Sequence, residues 1–379
     1  MTPSPIPAPW RLRLETTREA RRLQGRERSI LTPAGLDFCS NDYLGLARDP
    51  RLAEAAARAA RDSGSGSGAA RLLRGTTPLH DELERALAAW KGTESCLLFN
   101  TGYQCNATVV PALVGPGDAV FSDALNHASL VDGCRMAKAQ GAHLGVFRHG
   151  DLDDLEGQLR AWRTQASGTA LVLTDAIFSM DGDAADLPGL VSLCERHQAL
   201  LLADEAHASG LLGPTGAGLA EAQGMKGRIP LLMGTLGKAL GSFGAFVACD
   251  GALRDHLINT CRGFIFSTAL PPPCLGASLE AVHLAQAEPW RRTKALALAD
   301  RLRRVLGQPP QPSAIVPLLV GEDTAAVRMA AELLARGFDV RAVRPPTVPE
   351  GSARLRITTG THLEEAQVEA LIAALEDLL

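Results

Sequence analysis

The feature that most constrains this chain is a series of short, unbroken apolar runs. "ESCLLFN", "DAVFSD", "AHLGVF", "TALVLTDAIF", "ALLLAD" and "PLLMGTL" lie between Glu94 and Leu236, separated by helix-compatible sequence or Gly-rich turns. A strand with one wet face alternates apolar and polar residues, whereas a run apolar at every position is buried on both faces. Runs of this kind spaced by helices predict an α/β fold, with a largely parallel central sheet covered by helices on both sides. In such sheets, ligands collect beyond the carboxyl ends of the strands.

The pattern changes after "STALPPPCLGA". Two Ala/Leu/Arg helices are expected at 273–287 and 289–306. A smaller α+β set follows: strand "SAIVPLLV", helix 323–336, strands "DVRAV" and "ARLRIT", and a last helix over 362–378. The expected organisation is an N-terminal arm and helix (1–40), a large α/β domain (41–280) and a small α+β domain (281–379). Residues 1–9, "MTPSPIPAP", read as irregular, and "WRLRLETTREARRLQG" as a helix ending near Gly25.

Composition removes several classes of function. A formal net charge of −4 gives no basic surface to attract nucleic acid. The eight cysteines include no C-x-x-C pair, so neither a metal site nor a disulfide framework is expected. Reduced thiols in a cytoplasmic protein fit better. No run approaches 18 apolar residues and the N-terminus has no apolar core, so neither a membrane span nor a secretory signal is expected.

Three motifs suggest a nucleotide and fail. "DEAH", Asp204 to His207, matches a helicase metal box, but no phosphate loop precedes it. "TLGKALGS" would need glycine at 232 and a hydroxyl at 239, where Leu232 and Ala239 stand. "GSGSGA", Gly64 to Ala69, has the spacing of a dinucleotide fingerprint but follows a helical stretch, "PRLAEAAARAARD", instead of a strand.

A different constellation survives. Lys238 is one of only five lysines, so an amine nucleophile has few candidates, and it lies in the glycine-rich turn "GTLGKALGSFG" between two apolar runs. Held away from water, its amine would have a lowered pKa and attack carbonyls. Alone, it reads far more readily as a surface lysine in a turn. Asp204 ends a strand, where its carboxylate can accept from a protonated pyridine nitrogen and keep that ring electron-poor. His207 lies three residues on, within reach of a phenolic oxygen of the same ring. As a pair, these two are also what a strand-end cap and a polar turn supply. Gly102 and Tyr103 open a helix directly after a strand, so free N–H groups and the helix dipole favour a phosphate there. Thr235 offers a hydroxyl to the same anion, His127 a flat ring for stacking, and Ser179 a polar group at another strand end. Pyridoxal 5′-phosphate is the economical ligand for all of them.

"SNDYLGL", "GSGAARLLRGTTPLHDELE", "NHASL", "FSMDGD", "DEAHASGLLG", "TLGKALGSFGAF", "FIFSTALPP" and "PPTVPEGSARLRIT" stand in this order from about residue 38 to 360. Together they resemble the α-oxoamine synthase family of fold-type I pyridoxal-phosphate enzymes, which share the aspartate aminotransferase-like fold. The resemblance implies a decarboxylative condensation of an amino acid with an acyl thioester. It implies that Lys238 carries the cofactor, with Asp204 at the pyridine nitrogen, His207 and Ser179 near the ring oxygen, and His127 stacked on the ring. Gly102, Tyr103 and Thr235 would hold the phosphate, and Thr268 would reach that of a neighbouring subunit in a homodimer. Asn41 and Arg356 would grip the amino-acid carboxylate. Arg344 and Thr347 would lie near the acyl substrate, with Arg21 or Arg22 at its far carboxylate. His127 would also give a proton or hydrogen bond to the thioester carbonyl. "AVRPPTVP", Ala342 to Pro349, most resembles the branch using L-alanine and a pimeloyl thioester, carried on CoA or a carrier protein. Ala70, where glycine-using relatives tend to carry threonine, leaves room for alanine's methyl, although loop drift reads the same. The alternative is glycine with a shorter acyl-CoA.

Overall fold

The structure is a computed structural model and describes residues 6–379. In chain order the strands are β1 (Leu36–Asp37), β2 (Ser95–Phe99), β3 (Ala119–Asp123), β4 (His143–Phe147), β5 (Ala170–Asp175), β6 (Ala199–Asp204), β7 (Leu231–Thr235), β8 (Ala245–Cys249), β9 (Ile315–Gly321), β10 (Phe338–Asp339), β11 (Arg341–Val343) and β12 (Ala353–Thr358). Each of the six apolar runs forms a strand. With β8 they build a seven-stranded sheet in the order β2-β8-β7-β6-β5-β3-β4. Only β8 runs against its neighbours, β2 and β7.

Both sheet faces are dry. Along β5, Leu171 and Leu173 pack into one apolar cluster and Val172 into the other; along β6, Leu202 faces opposite to Leu201 and Ala203. This two-residue alternation between two buried faces is why the runs lack polar residues. Helices cover both sides. Pro272–Ala287 packs against Pro50–Ser63 through Gly276, where a Cβ would stand 2.7 Å from the Ala55 carbonyl oxygen and 2.7 Å from the Ala59 Cβ.

A second, three-stranded antiparallel sheet, β11-β12-β9, carries its own apolar cluster, and β1 pairs in parallel with β10. The division expected at residue 280 falls inside the continuous helix Pro272–Ala287. The stretch "DVRAV", expected as one strand, splits: Asp339 pairs with Asp37, and the chain then turns to put Arg341 opposite Arg356 in another sheet. The expectation for residues 1–9 also changes. Residues 1–5 lie outside the described range, but Ala8–Leu23 is helical and includes residues 8 and 9. A proline in the first turn gives up no intrahelical bond, so Pro9 does not delay the helix. No helix among the described residues is long and apolar enough to cross a membrane.

Candidate active site

The carboxyl ends of the parallel strands gather the polar residues. Asp175 and Asp204 end β5 and β6 as register partners, and Asp204 also pairs with Met233 of β7. Above them is a cavity of ≈ 170 Å³ lined by Gly102, Tyr103, His127, Ser179, Asp204, His207, Thr235 and Lys238, together with Asn106, Ser129, Asp175, Ile177, Ala206 and Met233. Eight residues singled out from the sequence thus share one space.

Asp204 is buried and doubly held. Its Oδ1 accepts from the Ala206 N–H at 2.9 Å, and its Oδ2 from Asn106 Nδ2 at 2.7 Å. Lys238 sits in the turn between β7 and β8. That turn closes on Gly241 (φ 62°), where a Cβ would lie 2.3 Å from the Ala47 nitrogen, so only glycine fits. Lys238 Nζ is 2.9 Å from His207 Nε2, and His207 Nδ1 is 2.8 Å from the Tyr43 hydroxyl. Burial, then the charges of Lys238 and Arg356, push His207 well below the usual imidazole range, so it stays neutral. Burial also lowers Lys238, against the opposing pull of Asp204 and Asp175. An amine beside a neutral imidazole in such a site has a larger uncharged fraction than a surface lysine, which is what a nucleophile needs.

At one end of the cavity, Gly102–Leu113 begins directly after β2, with Thr101 as N-cap accepting from the Gln104 N–H at 3.1 Å. The N–H groups of Gly102 and Tyr103 lie at the positive pole of that helix. Thr235 faces the same space, its hydroxyl donating to the Gly244 carbonyl at 3.1 Å. Behind Ser179, which lines the cavity, Arg356 on β12 donates from Nε to the Ser179 carbonyl at 2.5 Å and from Nη2 to Asn41 Oδ1 at 3.1 Å; Arg356 and Asn41 are not themselves lining residues. Arg356 is mostly buried, so a carboxylate meeting it would do so in low dielectric, where a charge-assisted pair is strong. These donors, the amine and the carboxylate fit a flat, phosphorylated, cationic heterocycle.

The remaining expected residues lie elsewhere. Thr268 lines a smaller cavity with Arg71, His80 and Asn100, forms an isolated bridge with Ala70, and accepts from Asn100 Nδ2 at 2.8 Å. Arg344 donates to the Gly25 carbonyl, and Thr347 is 3.5 Å from Arg28 Nη2. Arg22 pairs with Glu19 at 2.7 Å on an exposed helix, beside the exposed Arg21.

Four polar residues in or against the site went unread in the sequence: Tyr43, Asn106, Ser129 and Asp175. Asp175 ends an apolar run just as Asp204 does, and that parallel was the available signal. Burial and the charge of Asp204 push its carboxyl well above the usual carboxylate range, its Oδ2 accepts from the His127 N–H at 3.1 Å, and its Oδ1 is buried without a partner. Asn106 lies one helical turn beyond Gly102, on the face turned to Asp204, a placement that a helix-face reading would have found.

Comparison with known proteins agrees with this geometry. Residues 33–375 match the family model described as aminotransferase class I and II. An 8-amino-7-oxononanoate synthase of Anaeromyxobacter sp. (strain K) is 52% identical over 349 residues, covering 91% of this chain and 86% of the relative. Among solved structures, serine palmitoyltransferase from S. paucimobilis, with a bound PLP–myriocin adduct, has a TM-score of 0.88 at 28% identity, covering 96% of each chain. An 8-amino-7-oxononanoate synthase from Francisella tularensis has a TM-score of 0.76 at 25% identity, covering 91% of this chain and 96% of that one.

Proposed function

This chain belongs to the class I and II aminotransferase family, among its α-oxoamine synthases, and on that premise we propose that it has 8-amino-7-oxononanoate synthase activity. In that reaction L-alanine condenses with a pimeloyl thioester, releasing carbon dioxide and the thiol, on the route to biotin. The observation that carries the reading is the agreement of a 52% identical relative spanning 91% of the chain with a cavity that holds a desolvated amine and a buried carboxylate together.

Bound pyridoxal 5′-phosphate supplies the electron sink for the bonds broken at the amino acid's α-carbon. The chain's residues supply the rest. Lys238 Nζ would hold the cofactor through its aldehyde and serve as the base for the α-proton. Asp204 would pair with the ring's protonated nitrogen, its carboxylate kept in place by Asn106 and the Ala206 N–H. Arg356 and Asn41 would orient the amino-acid carboxylate. His127 would stack on the ring, Ser179 and His207 would lie near its oxygen, and Gly102, Tyr103 and Thr235 would take the phosphate. Arg344 and Thr347 adjoin the acyl chain, whose end carboxylate meets Arg22 or Arg21 in the Arg-rich helix.

The working unit in this reading is a cytoplasmic homodimer, with Thr268 completing the partner's phosphate site. Leu72, Leu73 and Phe266, which flank the Ala70–Thr268 bridge in sequence, are exposed in the single chain, as surfaces awaiting a second copy are. The test is thiol release by purified protein with pimeloyl-, succinyl- or acetyl-CoA, each with alanine or glycine. The reading expects release with pimeloyl-CoA and alanine above every other pair. Preference for glycine with a shorter thioester would assign a different branch of the family, and no release with any pair, nor with a pimeloyl carrier protein and alanine, would mark a non-catalytic cofactor-binding protein.

A further inference from the structure

His127 lies at the mouth of the site, and four hydrogen bonds behind it decide where its proton sits. Asn106 Nδ2 is 2.7 Å from Asp204 Oδ2 and 3.0 Å from Ser129 Oγ. Turning the amide over would set Oδ1 against a carboxylate oxygen, acceptor against acceptor, so the amide nitrogen faces Asp204 and gives its two hydrogens to these two oxygens. Ser129 Oγ therefore accepts from Asn106, and its single hydrogen is left for His127 Nδ1, 2.7 Å away. The backbone N–H of Ser129 also points at His127 Nδ1, at 3.2 Å, because His127 is the N-cap of helix Ala128–Ala139. A ring nitrogen receiving two donors cannot carry a hydrogen.

We propose that Ser129 and Asn106 hold His127 as its neutral Nε2–H tautomer, so that it faces the cavity as a hydrogen-bond donor and not as a base. The consequence rests on the proposed reaction: with Nδ1 occupied and Nε2 already protonated, His127 has no site for the α-proton, which is left to Lys238. His127 can stack on a ring and offer its N–H to a carboxylate or a thioester oxygen. The titratable groups facing it from other elements are Asp204, Lys238, the neutral His207, and Asp175, whose Oδ2 accepts from the His127 N–H. Burial and Lys238 favour the neutral ring, against Asp204. Ser129 and Asn106 are positioning residues, since they act through His127 and Asp204.

The test is a long-range nitrogen–proton correlation spectrum of the ¹⁵N-histidine-labelled holoenzyme without substrate, between about pH 6.5, where an unperturbed imidazole is half protonated, and about pH 8.5, where it is neutral. His127 is assigned by the signals lost in His127→Gln. The expected spectrum has a pyrrole-type Nε2 and a pyridine-type Nδ1 throughout. A hydrogen on Nδ1, or on both nitrogens, overturns the proposal. In Ser129→Ala, which removes one donor without adding bulk, the two nitrogens should move toward an average of both tautomers and kcat/KM should fall about tenfold. An unchanged spectrum in that variant removes Ser129 from the role. The readout needs no acyl substrate, so a protein that releases no thiol from pimeloyl-CoA or from a pimeloyl carrier protein would refute the proposed reaction while leaving the tautomer to be judged separately.

Discussion

Two lysines flank the "DEAH" turn, one fully buried and one half-buried at the cavity, and they live in opposite surroundings. Lys91, only 1% exposed, gives its three hydrogens to Glu205 Oε2 at 2.6 Å, Ser209 Oγ at 2.7 Å and the Ala217 carbonyl at 2.5 Å. Glu205 spends its other oxygen on the Ala220 N–H at 2.8 Å. Lys238 has a neutral imidazole as its hydrogen-bond partner and opens into a cavity. Asp204 and Glu205 are adjacent in sequence, yet one serves the cavity and the other the clamp. Burial alone therefore does not make an amine reactive. A fully satisfied, charge-paired ammonium holds structure together, whereas an under-satisfied one next to a neutral base is ready for chemistry.

Substitutions should separate the two. Lys238→Ala is expected to cost about 10³-fold or more in turnover and to abolish the visible absorbance of the bound cofactor, with little change in Tm. Retained absorbance and turnover would break the assignment of the reactive amine. Lys91→Met should do the reverse: a loss of about 3–5 kcal/mol in stability from an unpaired buried Glu205, read by urea denaturation, with cofactor absorbance kept in the folded fraction. Adding Glu205→Leu should recover much of that loss. Were Lys91→Met instead to abolish the absorbance at unchanged stability, the contrast would fail. Asp204→Asn comes next. It keeps the shape and should lower kcat by about 10²-fold while weakening cofactor retention, because an amide cannot hold the ring nitrogen's charge.

How far the sequence reveals this arrangement follows from what each signal encodes. Burial on both faces writes itself as unbroken apolar runs, so the strands of the large sheet were legible in composition alone. Strand direction was not, because such a run reads the same either way. The reversed β8 does leave a trace: residues 236–244 are too few for a parallel crossover, which takes a dozen or more. Lys238, Asp204 and His207 were legible because their chemistry is specific and they stand at strand ends. Asn106, Ser129 and Tyr43 were not, because a polar residue on a helix or in a turn gains its role only from what packs opposite. Lys91 reads in the sequence as the last residue of a helix, where a lysine is ordinarily solvated, and nothing local announces that Glu205 will reach it from 114 residues away. The Arg-rich helix Ala8–Leu23, with no buried residue, illustrates the opposite limit, since its local pattern is clear and its contacts belong to whatever it meets.

A half-buried third cation turns the contrast into a titration. His149 lies between Asp123 Oδ1 at 3.0 Å and Asp183 Oδ2 at 2.8 Å, with the Phe178 ring 4.4 Å away edge-on. Hydrogen bonds to the two carboxylates hold it charged and raise it to about 10. Like Lys91 it is a cation paired with carboxylates, but its charge can be removed by pH. A group whose folded pKa lies above its unfolded one stabilises fully below the unfolded value, about 6.5, and loses that contribution as pH rises through the folded value. His149→Gln has no charge to lose. Its urea midpoint should therefore lie below that of the unmodified protein near pH 6, and the gap should close as both approach pH 10.5, above the folded value of about 10. The size of the gap is modest because His149 is partly open to water, which screens the pair. A gap unchanged across that range would mean that the ring holds the "FSMDGD" turn against β3 by packing on Phe178 alone, and that carboxylate pairing is what distinguishes Lys91 from Lys238 but not what keeps His149 in place.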